Sequence, residues 1–161
     1  SLARMLAERV EGGWHAPLPS GRVFGEALLD ASVQYASLVA ALLDQALPVT
    51  YMSHITGHGL RKLMRADHEL TYVIDTLPEV PEVLAFMVQQ LGIDAAEAYG
   101  TFNMGAGFAV YSRPGSGAAV VAAAEAVGLT AQLAGRVEAG PRRVVLEPLG
   151  VTYGSDDLAV R

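Results

Sequence analysis

The chain has no cysteine, which excludes a disulfide framework, a thiolate nucleophile and a zinc–thiolate centre. Positive charge is also scarce: 11 Lys and Arg stand against 17 Asp and Glu, a net charge of -6 at pH 7. That balance opposes the phosphate attraction behind nonspecific nucleic-acid binding, so neither DNA nor RNA is an expected partner. Long apolar runs are missing as well. Asp44, Gln45 and Pro48 interrupt the most apolar stretch, short of the roughly 18 residues that span a bilayer, and no membrane partner is expected. No signal-peptide pattern opens the chain, so the cytoplasm is the default compartment.

What is present suits one folded domain over residues 1–161. Hydrophobic residues make up 52% and charged residues 17% of the 161, and a chain of this size buries roughly 70% of its unfolded surface. Disorder is excluded by that composition. The chain opens without Met on SLARMLAERV, where Leu2, Met5, Leu6 and Val10 form one stripe of an amphipathic helix. A chain that starts inside an element implies a segment upstream, and the expectation is a piece of a larger protein.

Hydrophobic period and breaker residues set the remaining elements. The Gly- and Pro-rich EGGWHAPLPSGRVFG predicts a loop ordered by Trp14 and Phe24. Apolar residues three and four apart predict a helix over Ala31 to Ala46, stopped by Pro48. Thr50 to Thr56 predicts a strand, broken by Gly57 and Gly59 before LRKLMRA resumes a helical pattern. Further strands are predicted at Thr71 to Asp75, Gly107 to Ser112, Gln132 to Val137 and Arg143 to Glu147. Helices are predicted at Glu82 to Leu91, at Asp94 (the N-cap) to Tyr99, and at Ala118 to Val127, the last ended by Gly128. The fold class is α+β, a mixed sheet flanked by helices in a layered arrangement.

Two segments carry candidate chemistry. YMSHITGHGL puts His54 near a strand end and glycines on the way into a helix, a geometry whose free amides can hold an anion. The same string also reads as an ordinary strand-to-helix turn, because a short glycine pair is far weaker than a full phosphate loop. His54 and His58 stand four apart, yet the glycines beside His58 argue against one continuous helix, so no metal site is expected. In TFNMGAG, Asn103 offers a hydrogen-bonding side chain, and Gly105 and Gly107 allow close backbone approach; the plainer reading is a tight entry to a strand with Phe102 and Met104 in the core. Glu79 and Glu82 read as loop and first-turn acids, and Arg142 with Arg143 as a solvated pair.

HITGHGL resembles the HITGGG loop of aminoimidazole ribonucleotide synthetases, also called phosphoribosylformylglycinamidine cyclo-ligases, and TFNMGAGF resembles their TFNMGIGM segment. FGEALLDASVQYASLVAALL and TAQLAGRVEAG are similar to further parts of the same family, so the resemblance runs from Ser1 to about Glu147. It implies the C-terminal domain of a two-domain enzyme, with the N-terminal ATP-binding half as partner. ATP and magnesium are the implied cofactors, held mainly by that other half, and a homodimer of the full-length enzyme is implied too. The implied reaction phosphorylates the formyl oxygen of formylglycinamidine ribonucleotide, after which an amine closes the imidazole ring. The active site would lie between the halves. This chain would contribute His54 as the catalytic residue, in proton transfer or charge stabilisation, and Thr56, Gly57, Gly59, Asn103 and Gly105 as substrate or phosphate contacts. The chain alone would be inactive. His58 departs from the family triplet, where its side chain replaces the middle glycine. A stand-alone binding or assembly module that kept the fold is the other function class. Glycines with no evident packing benefit at both loops favour the enzyme.

Overall fold

The computed structural model describes residues 2–158. Helix α1 (Leu2–Ala7) and the short α2 (Phe24–Ala27) flank the Gly- and Pro-rich loop, and α3 (Ala36–Asp44) follows. Strand β1 (Val49–His54) leads through the HITGHG turn into a 3-10 helix over Gly59–Met64 and then β2 (Leu70–Ile74). Next come α4 (Glu82–Leu91), α5 (Ala95–Thr101), β3 (Phe108–Ser112) and α6 (Gly117–Ala126). Strands β4 (Gly135–Ala139), β5 (Arg143–Leu146) and β6 (Val151–Gly154) close the chain.

Local chemistry accounts for the boundaries. Asp94 caps α5 by accepting from the Glu97 amide at 2.8 Å, which satisfies one of the donors a helix start leaves unpaired. Gly92 ends α4 in the left-handed region at φ 66°. The first turn of α4 is also tied to the loop before α2: the Glu82 carboxylate accepts from the Ser20 hydroxyl at 2.6 Å and the Ser20 amide at 3.1 Å.

The four-stranded sheet has the order β4-β2-β5-β6, with β2 and β5 parallel and both edge pairs antiparallel. Alternation along β2 puts Leu70, Tyr72 and Ile74 on one face, while Val144 and Leu146 stand beside Tyr72 and Ile74 in register. That face covers the 3-10 helix and α5 through Leu60, Leu63, Met64, Ala98 and Tyr99. β4 is an edge strand exposed at every residue, where Arg136 contacts Glu138 at 2.5 Å and Glu147 at 3.4 Å.

β1 and β3 stand apart as an antiparallel ribbon with His54 opposite Phe108. One ribbon face, through Met52, Phe108 and Val110, packs on α3 and α6 around Leu38, Leu42, Ala123 and Ala124. The other face, through Ala109 and Tyr111, joins the main core, and the Tyr111 hydroxyl donates to the Leu63 carbonyl at 2.8 Å. A third cluster gathers α1, α2 and α4 around Phe24 and Met87. The layered α+β class expected from the sequence therefore holds, with two sheets rather than one.

Four local expectations change. The helix expected over Ala31 to Ala46 begins only at Ala36 and ends at Asp44. LRKLMRA was expected to continue as an ordinary helix, but it winds as a 3-10 helix whose entry is pinned by Gly59 at φ 53°. The strand expected at Gln132 to Val137 starts three residues later, because the Ala134 carbonyl instead accepts from the Asp75 and Thr76 amides and Leu133 lies against Gly117. Arg142 is not solvated: its guanidinium donates to the Met64 carbonyl at 2.9 Å, the Arg65 carbonyl at 3.2 Å and Asp67 at 3.0 Å, and so ties off the end of the 3-10 helix.

Candidate functional site

The structure brings the two glycine segments together. Antiparallel pairing of β1 with β3 puts the residues after His54 beside the residues before Phe108, and the Ile55 amide donates to the Gly107 carbonyl at 2.9 Å. Gly59 then sits against the end of α5: a Cβ there would stand 2.0 Å from the Tyr99 carbonyl oxygen and 2.6 Å from that of Phe102. Gly105, at φ 93°, lies equally close to another loop, with a Cβ position 2.3 Å from the Glu79 oxygen. These two glycines thus have a packing role, as the close-approach reading of Gly105 allowed; at Gly59 the sequence did not suggest it. Gly57 differs, since a Cβ there meets nothing within 4 Å.

Asn103 shapes its own turn. Its Oδ1 accepts from the Gly105 amide at 3.2 Å and its carbonyl accepts from Ala106 at 2.8 Å, which leaves the Nδ2 group as the donor available to a ligand. His54 is exposed at the end of β1, where the Tyr35 ring meets it edge-on at 5.7 Å between centroids. Tyr35 itself stacks on Phe108 at 4.8 Å, and a Cβ on Gly107 would collide with its hydroxyl at 1.9 Å. Burial raises the Tyr35 pKa above the usual phenol range. Tyr35 was not among the residues singled out from sequence; an aromatic just before a core-packed helix carries no signal of what it will lie against.

A cleft of about 190 Å³ opens on the other side of the turn, lined by Thr56, Gly57, His58, Lys62, Arg65 and Leu158. His58 adopts the left-handed conformation at φ 76° despite its side chain, a geometry that costs an L-residue roughly 1–2 kcal/mol. The Gly59 amide donates to the Thr56 carbonyl at 3.1 Å, closing the turn. Lys62 and Arg65 were also missed, because the segment reads as an ordinary helix. In a 3-10 helix residues three apart eclipse one another, so Gly59, Lys62 and Arg65 line up on one edge below the turn. Lys62 Nζ donates to Thr56 Oγ1. Desolvation, then the nearby Arg65 charge, holds the Lys62 ammonium below its usual pKa.

Similarity to known proteins follows these same segments. The sequence pattern of the family described as AIR synthase related protein, C-terminal domain, matches residues 2–147. The chain belongs to that family. Among curated AIR synthase relatives, a phosphoribosylformylglycinamidine cyclo-ligase from Anaeromyxobacter sp. (strain Fw109-5) is 39% identical over 132 residues, covering 79% of this chain and 38% of the relative. The protein of the same name from Methanocaldococcus jannaschii is 36% identical over 122 residues, covering 74% and 35%. That from Rippkaea orientalis is 32% identical over 152 residues, covering 91% and 44%. The chain therefore spans less than half the length of the curated relatives it matches. β6 and the short 3-10 helix Ser155–Leu158 lie beyond the family match. No helix among the described residues is long and apolar enough to cross a membrane.

Proposed function

We propose that this chain forms the C-terminal half of an ATP-dependent cyclo-ligase that closes the imidazole ring of formylglycinamidine ribonucleotide in purine biosynthesis, acting with an N-terminal ATP-binding half. The observation that carries the reading is the backbone joining of the HITGHG turn to the TFNMGAG loop, in a chain whose relatives bear the cyclo-ligase name. In this reading ATP supplies the phosphoryl group that turns the formyl oxygen into a leaving group. Magnesium, implied by the family resemblance, is assigned in this reading to the other half.

Roles for this chain's residues belong to the same proposal. His54, exposed at the ribbon end against Tyr35, takes or gives a proton or stabilises charge as the ring closes. Thr56 and Gly57, exposed at the turn, and Asn103 through Nδ2 contact the ribonucleotide. Gly59 serves the site by letting the HITGHG turn approach the end of α5, and Gly105 by letting the TFNMGAG loop pass close to Glu79, as their close carbonyl neighbours require. The left-handed His58 supports a second reading, a relative with altered ligand that works as a binding module.

A chimera separates the two readings: residues 2–147 replace the matching segment of the Anaeromyxobacter relative, and ATP-dependent formation of aminoimidazole ribonucleotide is measured. Turnover that is lost on His54→Ala supports the enzyme half. A chimera that folds by circular dichroism yet makes no product defeats it. The 161-residue chain alone is expected to show neither ATP hydrolysis nor cyclisation, and measurable turnover by it would overturn the two-half arrangement.

A further inference from the structure

The cleft beside the HITGHG turn concentrates positive charge in a way the described fold does not use. Of its lining residues Lys62 and Arg65 are cations, His58 is titratable and Thr56 offers a hydroxyl, and among the described residues no carboxylate lines it. Neither Lys62 nor Arg65 forms an ion pair among the described residues. Two acids near the cleft along the chain are engaged elsewhere: Asp67 holds Arg142 at 3.0 Å, and Asp157 Oδ2 accepts from the Gly154 amide at 2.7 Å. Two adjacent cations without a counter-charge repel; the Lys62 pKa is lowered first by desolvation and then by the Arg65 charge. An anion seated between them would reverse that cost.

The far wall of the cleft has a different origin. Leu158 belongs to the 3-10 helix after β6, outside the residues that match the family. That helix is clasped to the Gly59–Met64 helix by Arg61, whose guanidinium donates to the Asp157 carbonyl at 3.0 Å, while Tyr153 anchors β6 by donating to the Ala96 carbonyl at 2.6 Å. The segment therefore converts an open cationic edge into a bounded pocket with one apolar wall. His58 stands on the remaining side, at the position where the resembled loop has glycine.

We propose that Thr56, His58, Lys62 and Arg65, walled by Leu158, form a binding site for the phosphoryl group of a phosphate monoester, with Lys62 and Arg65 supplying its charge-assisted hydrogen bonds. The reading rests on the composite site proposed above, since Thr56 belongs to both, but it adds the residues that hold the phosphate and the segment that sets the size of its pocket. The cleft volume of about 190 Å³ is many times the ~10–15 Å³ that one water needs, enough for a phosphate. A ribose attached to the phosphate would project from the open mouth.

Amide-resolved NMR titration of the 161-residue chain with inorganic phosphate, and separately with ribose 5-phosphate, tests the site. Saturable shifts are expected first at Thr56, Gly57, His58, Lys62 and Arg65, with chloride at equal ionic strength producing none. Lys62→Ala and Arg65→Ala should each weaken binding about tenfold, the scale of one charge-assisted hydrogen bond. Leu158→Ala should weaken ribose 5-phosphate binding less than either, because it removes a wall and no charge. Shifts centred on Arg142 and Arg143, or unchanged affinity in Lys62→Ala and Arg65→Ala with native dispersion retained, would overturn the proposal. A chimera that cyclises while the cleft binds no phosphate defeats this inference alone; phosphate binding with an inactive chimera defeats the enzyme reading alone.

Discussion

Gly59 and Gly57 stand two residues apart in one turn, and replacing each by Ala should have opposite consequences. At Gly59 the new Cβ would lie 2.0 Å and 2.6 Å from two backbone carbonyl oxygens of the α5 end, against a 3.0 Å floor for real contacts, with φ at +53°. The left-handed conformation costs an L-residue about 1–2 kcal/mol. Displacing a packed helix end by about 1 Å adds the ~1–3 kcal/mol typical of overpacking. A loss of about 2–5 kcal/mol follows, a large share of the roughly 5–15 kcal/mol that holds a domain together. At ~2–4 °C per kcal/mol for a domain of this size, the melting temperature should drop by about 4–20 °C. Gly57→Ala meets no neighbour within 4 Å and should stay within about 0.5 kcal/mol of the parent. Urea denaturation followed by circular dichroism reads both. A Gly59→Ala chain as stable as the parent, or a Gly57→Ala chain as damaged as Gly59→Ala, would refute the assignment of one glycine to close approach and the other to an open turn.

Four further outcomes are expected. His58→Gly should stabilise the chain by about 0.5–1 kcal/mol in the same denaturation assay, because relief of left-handed strain exceeds the entropy glycine adds to the unfolded state; a loss of stability would show that the imidazole makes compensating contacts. Arg142→Ala should cost about 2 kcal/mol through its lost charge-assisted bonds to Met64, Arg65 and Asp67, whereas Arg143→Ala, with one contact at 3.4 Å, should cost well under half as much. Asp94→Ala should remove about 1 kcal/mol as α5 loses its cap, and a mutant of unchanged midpoint would mean the cap is idle. Burial pushes the Tyr153 hydroxyl up to about 12; a raised folded-state value means its contribution is full below the unfolded phenol pKa near 10 and is lost as pH rises through 12. Stability should therefore fall by on the order of 1–2 kcal/mol between pH 10 and 12, and a Tyr153→Phe chain should lack that part of the decline.

Much of the fold was legible because its determinants are local. Asp94 followed by an apolar run, Pro81 before α4 and the β-branched TYVID each announce an element without reference to the rest of the chain. The missing parts depend on contacts distant in sequence. β6 was assigned no element from the sequence, yet it forms because β5 offers it an open edge with Val144 and Leu146 already in the core. The period of the Gly59–Met64 helix was misread for a similar reason: Gly59 is held against α5, forty residues later in the chain, and that tight seat favours a helix of three residues per turn. The loops of the candidate site were visible as strings, and their adjacency follows from β1–β3 pairing. Lys62 and Arg65 were not, since the cleft that gathers them is completed by the Thr56–His58 turn and by Leu158, distant in sequence. Arg142 looked like half of a solvated pair, and its partners, the carbonyls of Met64 and Arg65, leave no trace in composition.

The exposed edge of β4 has a consequence for self-association. An unpaired strand offers its amides and carbonyls as a template, and a second copy could extend the sheet from it. Here Arg136, with Glu138 and Glu147 drawn around it and Asp75 at 3.9 Å, places charge along that border, and an incoming strand would have to strip water from it. The ion cluster is worth little to the stability of a single molecule, since every member is well exposed. Its effect lies between molecules, keeping a flat, partly apolar border that also carries Val137 from growing by addition.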